Sequence, residues 1–246
     1  MKLAIFDVDG TLTLGDGLGT RCFFDAFQRV FGPCEIDCRL TAYRESTDAG
    51  IALEALASVL GAPAGPAHVE RFKDVYLASL AAEIARAPQA YRPVPGAQRV
   101  LPRLAQEHGW SVAIATGNWR RAALLKLATA GVETGGAVGA YSEDGHTRVD
   151  VLTAAIGRVQ AGARGDIERV VYVGDQPWDK AAADAAGVAF VGIGSPERAA
   201  RLQTCGARVL DGYERFDDFV AALEQCAAPA RVPAAAALRP APAQES

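Results

Sequence analysis

The chain has 246 residues, half of them apolar, and its 25 Lys and Arg against 29 Asp and Glu leave a net charge of −4. That length holds one large domain or a core with an inserted subdomain, and the apolar content is enough for a packed core. The acidic balance gives no general attraction for nucleic acid or an anionic membrane, and no run of eighteen apolar residues occurs, so a small-molecule partner is expected.

The first element is a strand, Leu3 to Phe6, running directly into Asp7-Val8-Asp9-Gly10-Thr11-Leu12. Gly15, Gly17 and Gly19 form a flexible stretch. After them Phe23, Phe27, Val30 and Phe31 fall on one helical stripe. Two more helices are expected over Ile51 to Leu60 and Val69 to Ile84, and Arg92-Pro93-Val94-Pro95-Gly96 then breaks the helix and forms a second hinge. From Ala97 onward helices and strands alternate. Helices are expected over Ala97–Glu107, Arg120–Ala130, Asp150–Gln160, an Ala-rich stretch between Val173 and Ala189, and Phe216–Gln225. Strands are expected over Ser111–Ala115, Ala137–Tyr141, Val170–Val173, Ala189–Gly192 and Arg208–Leu210. This alternation predicts an α/β fold with a doubly wound parallel sheet. The last twenty residues hold nine alanines and four prolines, the composition of a disordered tail. Five cysteines, Cys22, Cys34, Cys38, Cys205 and Cys226, form no C-x-x-C pair, which points to reduced thiols in a cytoplasm. The chain enters a strand without a leader pattern, so a soluble, unprocessed, cytoplasmic protein is expected. A monomer or a homodimer fits equally.

Asp7 and Asp9 are two apart on an extended segment, so their side chains converge on one space. Two carboxylates so placed repel unless a cation or a retained proton intervenes. Two other strands also end in polar residues: Ser-Val-Ala-Ile-Ala leads to Thr116, and Val-Val-Tyr-Val-Gly leads to Asp175. In an open α/β sheet the carboxyl ends of the strands form the binding crevice, so the three can meet. Together these motifs resemble the haloacid dehalogenase superfamily of phosphohydrolases from Lys2 to about Gly192, in its phosphoglycolate-phosphatase-like branch. The resemblance implies a Rossmann-like core over 1–14 and 92–226, with a helical cap inserted over 15–91 and the tail beyond 226. It also implies hydrolysis of a small phosphate ester such as phosphoglycolate or a sugar phosphate.

On that resemblance Asp7 is the nucleophile that forms an aspartyl phosphate. Asp9 protonates the leaving alkoxide and then deprotonates water. Dehalogenating members replace that second carboxylate, so dehalogenation is set aside. Thr116, Gly117 and Asn118 are candidates to hold phosphate oxygens, although Asn118 is equally a helix N-cap. Asp175 and Asp179, at i and i+4 around Pro177, suit a hard cation; Mg²⁺ would be held by Asp7, the main-chain carbonyl of Asp9 and Asp175, with Asp179 acting through water or simply capping its helix. The family's usual Lys-Pro is absent. Arg148 occupies the corresponding place, and Lys126, expected to be solvated, is the runner-up. Arg44, in Tyr43-Arg44-Glu45-Ser46-Thr47-Asp48, could pair with a substrate carboxylate, or this segment is a polar turn capped by Thr47 or Asp48. A phosphomutase is the nearest rival reading, and a non-catalytic phospho-binding or interaction protein is the rival of another class.

Overall fold

A computed structural model describes residues 1–226; the tail expected to be disordered lies outside the described residues. The sheet is built from β1 (Lys2–Phe6), β4 (Ser111–Ala115), β5 (Val138–Ala140), β6 (Arg169–Gly174), β7 (Ala189–Ile193) and β8 (Arg208–Leu210) in the order β5-β4-β1-β6-β7-β8. Every pairing is parallel. The chain steps from β1 to β4 on one side and later to β6 on the other, so strand order reverses around β1. That is where an open parallel sheet leaves a crevice at its carboxyl edge.

Alternate residues of β1 serve different cores, as a strand buried on both faces requires. Leu3 and Ile5 pack with Val151, Leu152 and Ile156 of α6 (Arg148–Gly162) and Ala183 of α7 (Pro177–Ala186). Ala4 and Phe6 face Leu101 and Leu104 of α4 (Val100–His108) and Phe219 and Leu223 of α9 (Phe216–Gln225). Sequence periodicity missed α8 (Pro196–Thr204), between β7 and β8, whose mostly polar surface buries only Leu202.

Between β1 and β4 lies a helical insertion of α1 (Leu18–Phe31), α2 (Asp48–Leu60) and α3 (Pro66–Arg86). The Phe23/Phe27 stripe of α1 meets Phe72 and Tyr76 of α3, with Phe23 and Phe72 ring centroids 4.9 Å apart. Trp119, at the head of α5 (Arg120–Thr129), fills the same cluster and joins the insertion to the sheet layer. The two connecting segments pair with each other. β2 (Thr13–Leu14) and β3 (Arg92–Pro93) are antiparallel, and Arg92 bonds Asp16 at 2.6 Å. The expected hinge at Arg92 is therefore a short strand, with its Pro at the edge where the missing N–H is tolerated.

Candidate active site

Asp7 extends β1 by donating its N–H to the Val173 carbonyl at 3.0 Å, and its side chain is buried. The chain then folds back tightly, with Leu12 and Thr13 both donating to the Val8 carbonyl. Gly10 makes this possible in two ways. Its φ is +78°, which favours glycine, and a Cβ there would sit 2.2 Å from Asp175 Oδ2. The turn thus presses against the end of β6.

Asp7, Asp175 and Asp179 are all buried, and one carboxylate oxygen from each lies within 4.8 Å of the others. Asp179, in the first turn of α7, accepts the backbone N–H groups of Asp175 at 3.2 Å and Gln176 at 3.1 Å. Its capping role is realised, and it also belongs to the cluster. Burial, opposed by Arg148 but reinforced by Asp7, pushes its carboxyl up to about 7. Asp175 is raised too, by burial first and then by Asp179 and Asp7. Cations already border the trio. Arg148 donates from Nη1 to Asp7 Oδ1 at 2.9 Å and reaches Asp179 Oδ1 at 3.2 Å. Burial works against its charge, yet Asp7 and Asp179 outweigh it and hold the guanidinium well above its usual pKa. Arg198, on the unforeseen α8, donates to Asp175 Oδ2 at 2.9 Å. Asp175 Oδ1 remains buried with no partner among the described residues. Three converging carboxylates and an orphaned oxygen are a donor set that fits a hard divalent cation.

The facing wall departs from expectation in three places. Lys126 is not solvated: its side chain is 3% exposed and Nζ donates to Asp9 Oδ2 at 2.5 Å and Asn118 Oδ1 at 2.6 Å. α5 is turned so that Leu124 is exposed while Ala122, Ala123 and Lys126 face inward. Asn118 accordingly caps nothing, since Trp119 is the residue at the helix N-cap and the Asn118 carboxamide serves Lys126. Arg44 stays outside, with its side chain 88% exposed and its Nε 3.6 Å from Glu54, because the polar loop turns before Ser46. What enters from that loop is Ser46 and Asp48. Arg148 Nε donates to the Ser46 carbonyl at 3.2 Å, Asp48 N–H donates to the Gly117 carbonyl at 2.7 Å, and Trp119 N–H donates to Asp48 Oδ2 at 2.8 Å. A Cβ on Gly117 would meet the Ser46 carbonyl at 2.6 Å, so glycine permits this approach. Thr47 is the N-cap of α2, its hydroxyl accepting from Gly50 N–H. Thr116 is fully buried, and its hydroxyl accepts the Asn118 N–H at 3.3 Å.

Together these segments enclose a cleft of about 260 Å³ whose lining includes Asp7, Asp9, Asn118, Lys126, Arg148, Asp175 and Arg198. Arg198 had a local signal, because Ser195-Pro196-Glu197 reads as a helix start.

A family model for haloacid dehalogenase-like hydrolases matches residues 1–187. The chain belongs to that family. Haloacid dehalogenase-like hydrolases are enzymes, and the sheet order and helical insertion described above are this member's version of the fold. Among solved structures, a hydrolase from Pseudomonas syringae is 20% identical with a TM-score of 0.67, over 90% of this chain and 98% of that one. A family hydrolase from Deinococcus radiodurans with bound phosphate and sodium is 22% identical with a TM-score of 0.55, over 93% and 98%. CbbY from Rhodobacter sphaeroides, in complex with xylulose-1,5-bisphosphate, is 19% identical with a TM-score of 0.65, over 87% and 95%. No curated protein matches the chain. At these identities the haloacid dehalogenase-like structures share the fold. No helix among the described residues is long and apolar enough to cross a membrane.

Proposed function

We propose that the protein is a magnesium-dependent phosphatase for a small phosphorylated metabolite. The observation that carries this reading is the buried trio of Asp7, Asp175 and Asp179 beside Arg148, of which Asp7 and Asp175 line a cleft that Asp9 also lines. Mg²⁺ would be held by Asp7, the Asp9 carbonyl and Asp175, with Asp179 behind them; when bound, it supplies positive charge to phosphate oxygens and screens the carboxylates from one another.

Asp7 attacks phosphorus in line with the leaving oxygen and becomes an aspartyl phosphate, so one difficult displacement is split into two. Arg148, held between Asp7 and Asp179, fixes the nucleophile's rotamer and offers its remaining N–H groups to phosphate oxygens. Asp9 gives its proton to the departing alkoxide, then takes one from the water that opens the acyl phosphate. Asn118, in the turn after β4, faces the cleft, and the Thr116 hydroxyl, buried behind it, steadies that turn by accepting the Asn118 N–H. The helical insertion closes the cleft and keeps out bulk water. A neighbour solved with phosphate and another solved with a sugar bisphosphate accord with a phosphate-ester substrate.

The test is a panel of phosphate esters assayed with Mg²⁺ and with chelator, using wild type, Asp7→Asn and Asp9→Asn. Metal-dependent release of phosphate that both substitutions abolish is expected. Robust turnover by Asp7→Asn would overturn the mechanism, and transfer of phosphate between sugar hydroxyls would replace hydrolysis with a mutase reaction.

A further inference from the structure

Arg198 has a placement that the packing of its helix does not require. α8 buries only Leu202, and Arg198, four residues earlier, lies on the same helical face. The face that anchors the helix in the core therefore also carries a guanidinium to the end of β6. There Arg198 Nη1 donates to Asp175 Oδ2 at 2.9 Å, its one ion pair among the described residues. The turn after β1 leaves space for it, since a Cβ on Gly10 would lie 2.5 Å from Arg198 Nη1.

The Asp175 carboxylate is used unevenly. Oδ2 accepts from Arg198 and, at 2.6 Å, from Gln176 Nε2, whereas Oδ1 is buried with no partner among the described residues. One carboxylate can thus hold Arg198 on Oδ2 and a metal ion on Oδ1, and neither cation has to displace the other. A guanidinium has five N–H donors. Asp175 takes one, and no other acceptor among the described residues meets the rest. The side chain is 34% exposed and lines the cleft together with Asp7, so those donors are open to a ligand there. Charge indicates which ligand. Arg148 and a divalent cation together only neutralise three ionised carboxylates, and Arg198 is what makes the metal-loaded end of the cleft positive.

We propose that Arg198 is a substrate-binding cation of this cleft, one that draws in the phosphoryl dianion and, by its like charge, weakens the hold of the site on its metal ion. This rests on the phosphatase reading and adds a residue to its phosphate-binding set. The two effects come from one guanidinium with opposite signs. A divalent cation on Asp175 Oδ1 would be repelled by the charge on Oδ2 of the same carboxylate, a separation well inside the screening length of ordinary salt. A phosphate oxygen would be attracted by that charge and could accept a charge-assisted hydrogen bond from it. A residue that merely packed α8 or steadied Asp175 would weaken both ligands when removed. The sign of the change separates the two roles.

The test measures Mg²⁺ alone by calorimetry at low ionic strength, and then inorganic phosphate as a competitive inhibitor of ester hydrolysis at saturating Mg²⁺. Wild type is compared with Arg198→Gln and Arg198→Met, two neutral replacements so that one that fails to fold leaves the other, and with Arg198→Lys, which keeps the charge. Thermal unfolding verifies each. Both neutral variants should bind Mg²⁺ more tightly, by about threefold to tenfold. Their inhibition constant for phosphate and their KM for the ester should rise about tenfold, with kcat less affected. Arg198→Lys should return both affinities most of the way to wild type, and added salt should shrink both shifts. Mg²⁺ and phosphate affinities that weaken together, or a phosphate affinity unchanged in the neutral variants, would overturn the inference while leaving the phosphatase standing. A wild type that binds no Mg²⁺ and turns over no ester would overturn the phosphatase reading and this inference with it.

Discussion

The sheet edge and the helical insertion contribute to one cleft by opposite means. At the sheet edge each side chain is set by strand geometry: Asp7 follows β1, Thr116 follows β4 and Asp175 follows β6, and parallel pairing brings their ends level. On the facing wall, Asp48, Tyr91, Lys126 and Gly19 come from four separate segments that only tertiary packing joins. The first arrangement is fixed by backbone register, and the second by how the helices dock. Substitutions at the sheet edge should therefore have the larger effects and those at the wall the smaller.

Arg148→Ala should have the largest effect, because it strips the only side-chain donor that bridges Asp7 and Asp179 among the described residues. Turnover should drop by about 100- to 1,000-fold, and unpairing a buried charge should cost about 3–5 kcal/mol of stability, read by chemical denaturation. Arg148→Lys should recover folding better than turnover, since it lacks the fork. Next in size is the cation. Mg²⁺ at a hundredfold its Kd should raise the Tm of wild type by about 5–10 °C, and Asp175→Asn should remove most of that shift.

The wall gives smaller effects. Burial, relieved by Lys126 and the Trp119 N–H but reinforced by Asp9, raises the Asp48 carboxyl to about 6. Between about pH 4 and 6 the folded state then holds a proton that the unfolded chain, with an ordinary aspartate pKa of 3.8, has released. Its contribution to stability is complete below about pH 4 and is lost as pH rises through about 6. Asp48→Asn should flatten the Tm profile between those limits and raise Tm at pH 8, its amide oxygen still accepting the Trp119 N–H. Arg44→Ala should be the mildest, within about 0.5 kcal/mol of wild type, with kcat/KM for small esters unaltered within error; a large loss would return Arg44 to the cleft wall.

This division also explains what could be read in advance. Strand ends are legible because a short apolar run that stops at a polar residue marks where each strand meets the carboxyl edge of the sheet, whereas Arg148, the first residue of α6, was reached only through the resemblance, which puts a basic residue ahead of that helix. The fold class and helical insertion were legible for the same reason, through alternation and the Phe23/Phe27 stripe. Lys126 was not, because a helix that exposes Leu124 and buries a lysine inverts the usual amphipathic rule, and only the partners Asp9 and Asn118 make that tolerable. Arg198 was missed because α8 buries just one leucine, although Ser195-Pro196-Glu197 marks its start. Arg44 misled because the neighbouring residues, Ser46 and Asp48, are the ones that turn inward.

In the proposed mechanism Asp7 carries phosphate during turnover. Acid quench of the enzyme turning over a phosphorus-labelled ester, followed by peptide mapping, tests it most directly. Hydroxylamine-labile phosphate is expected on the peptide bearing Asp7 in wild type and is expected to be absent in Asp7→Asn. Metal-dependent hydrolysis with no label on that peptide, and with turnover retained in Asp7→Asn, would contradict it.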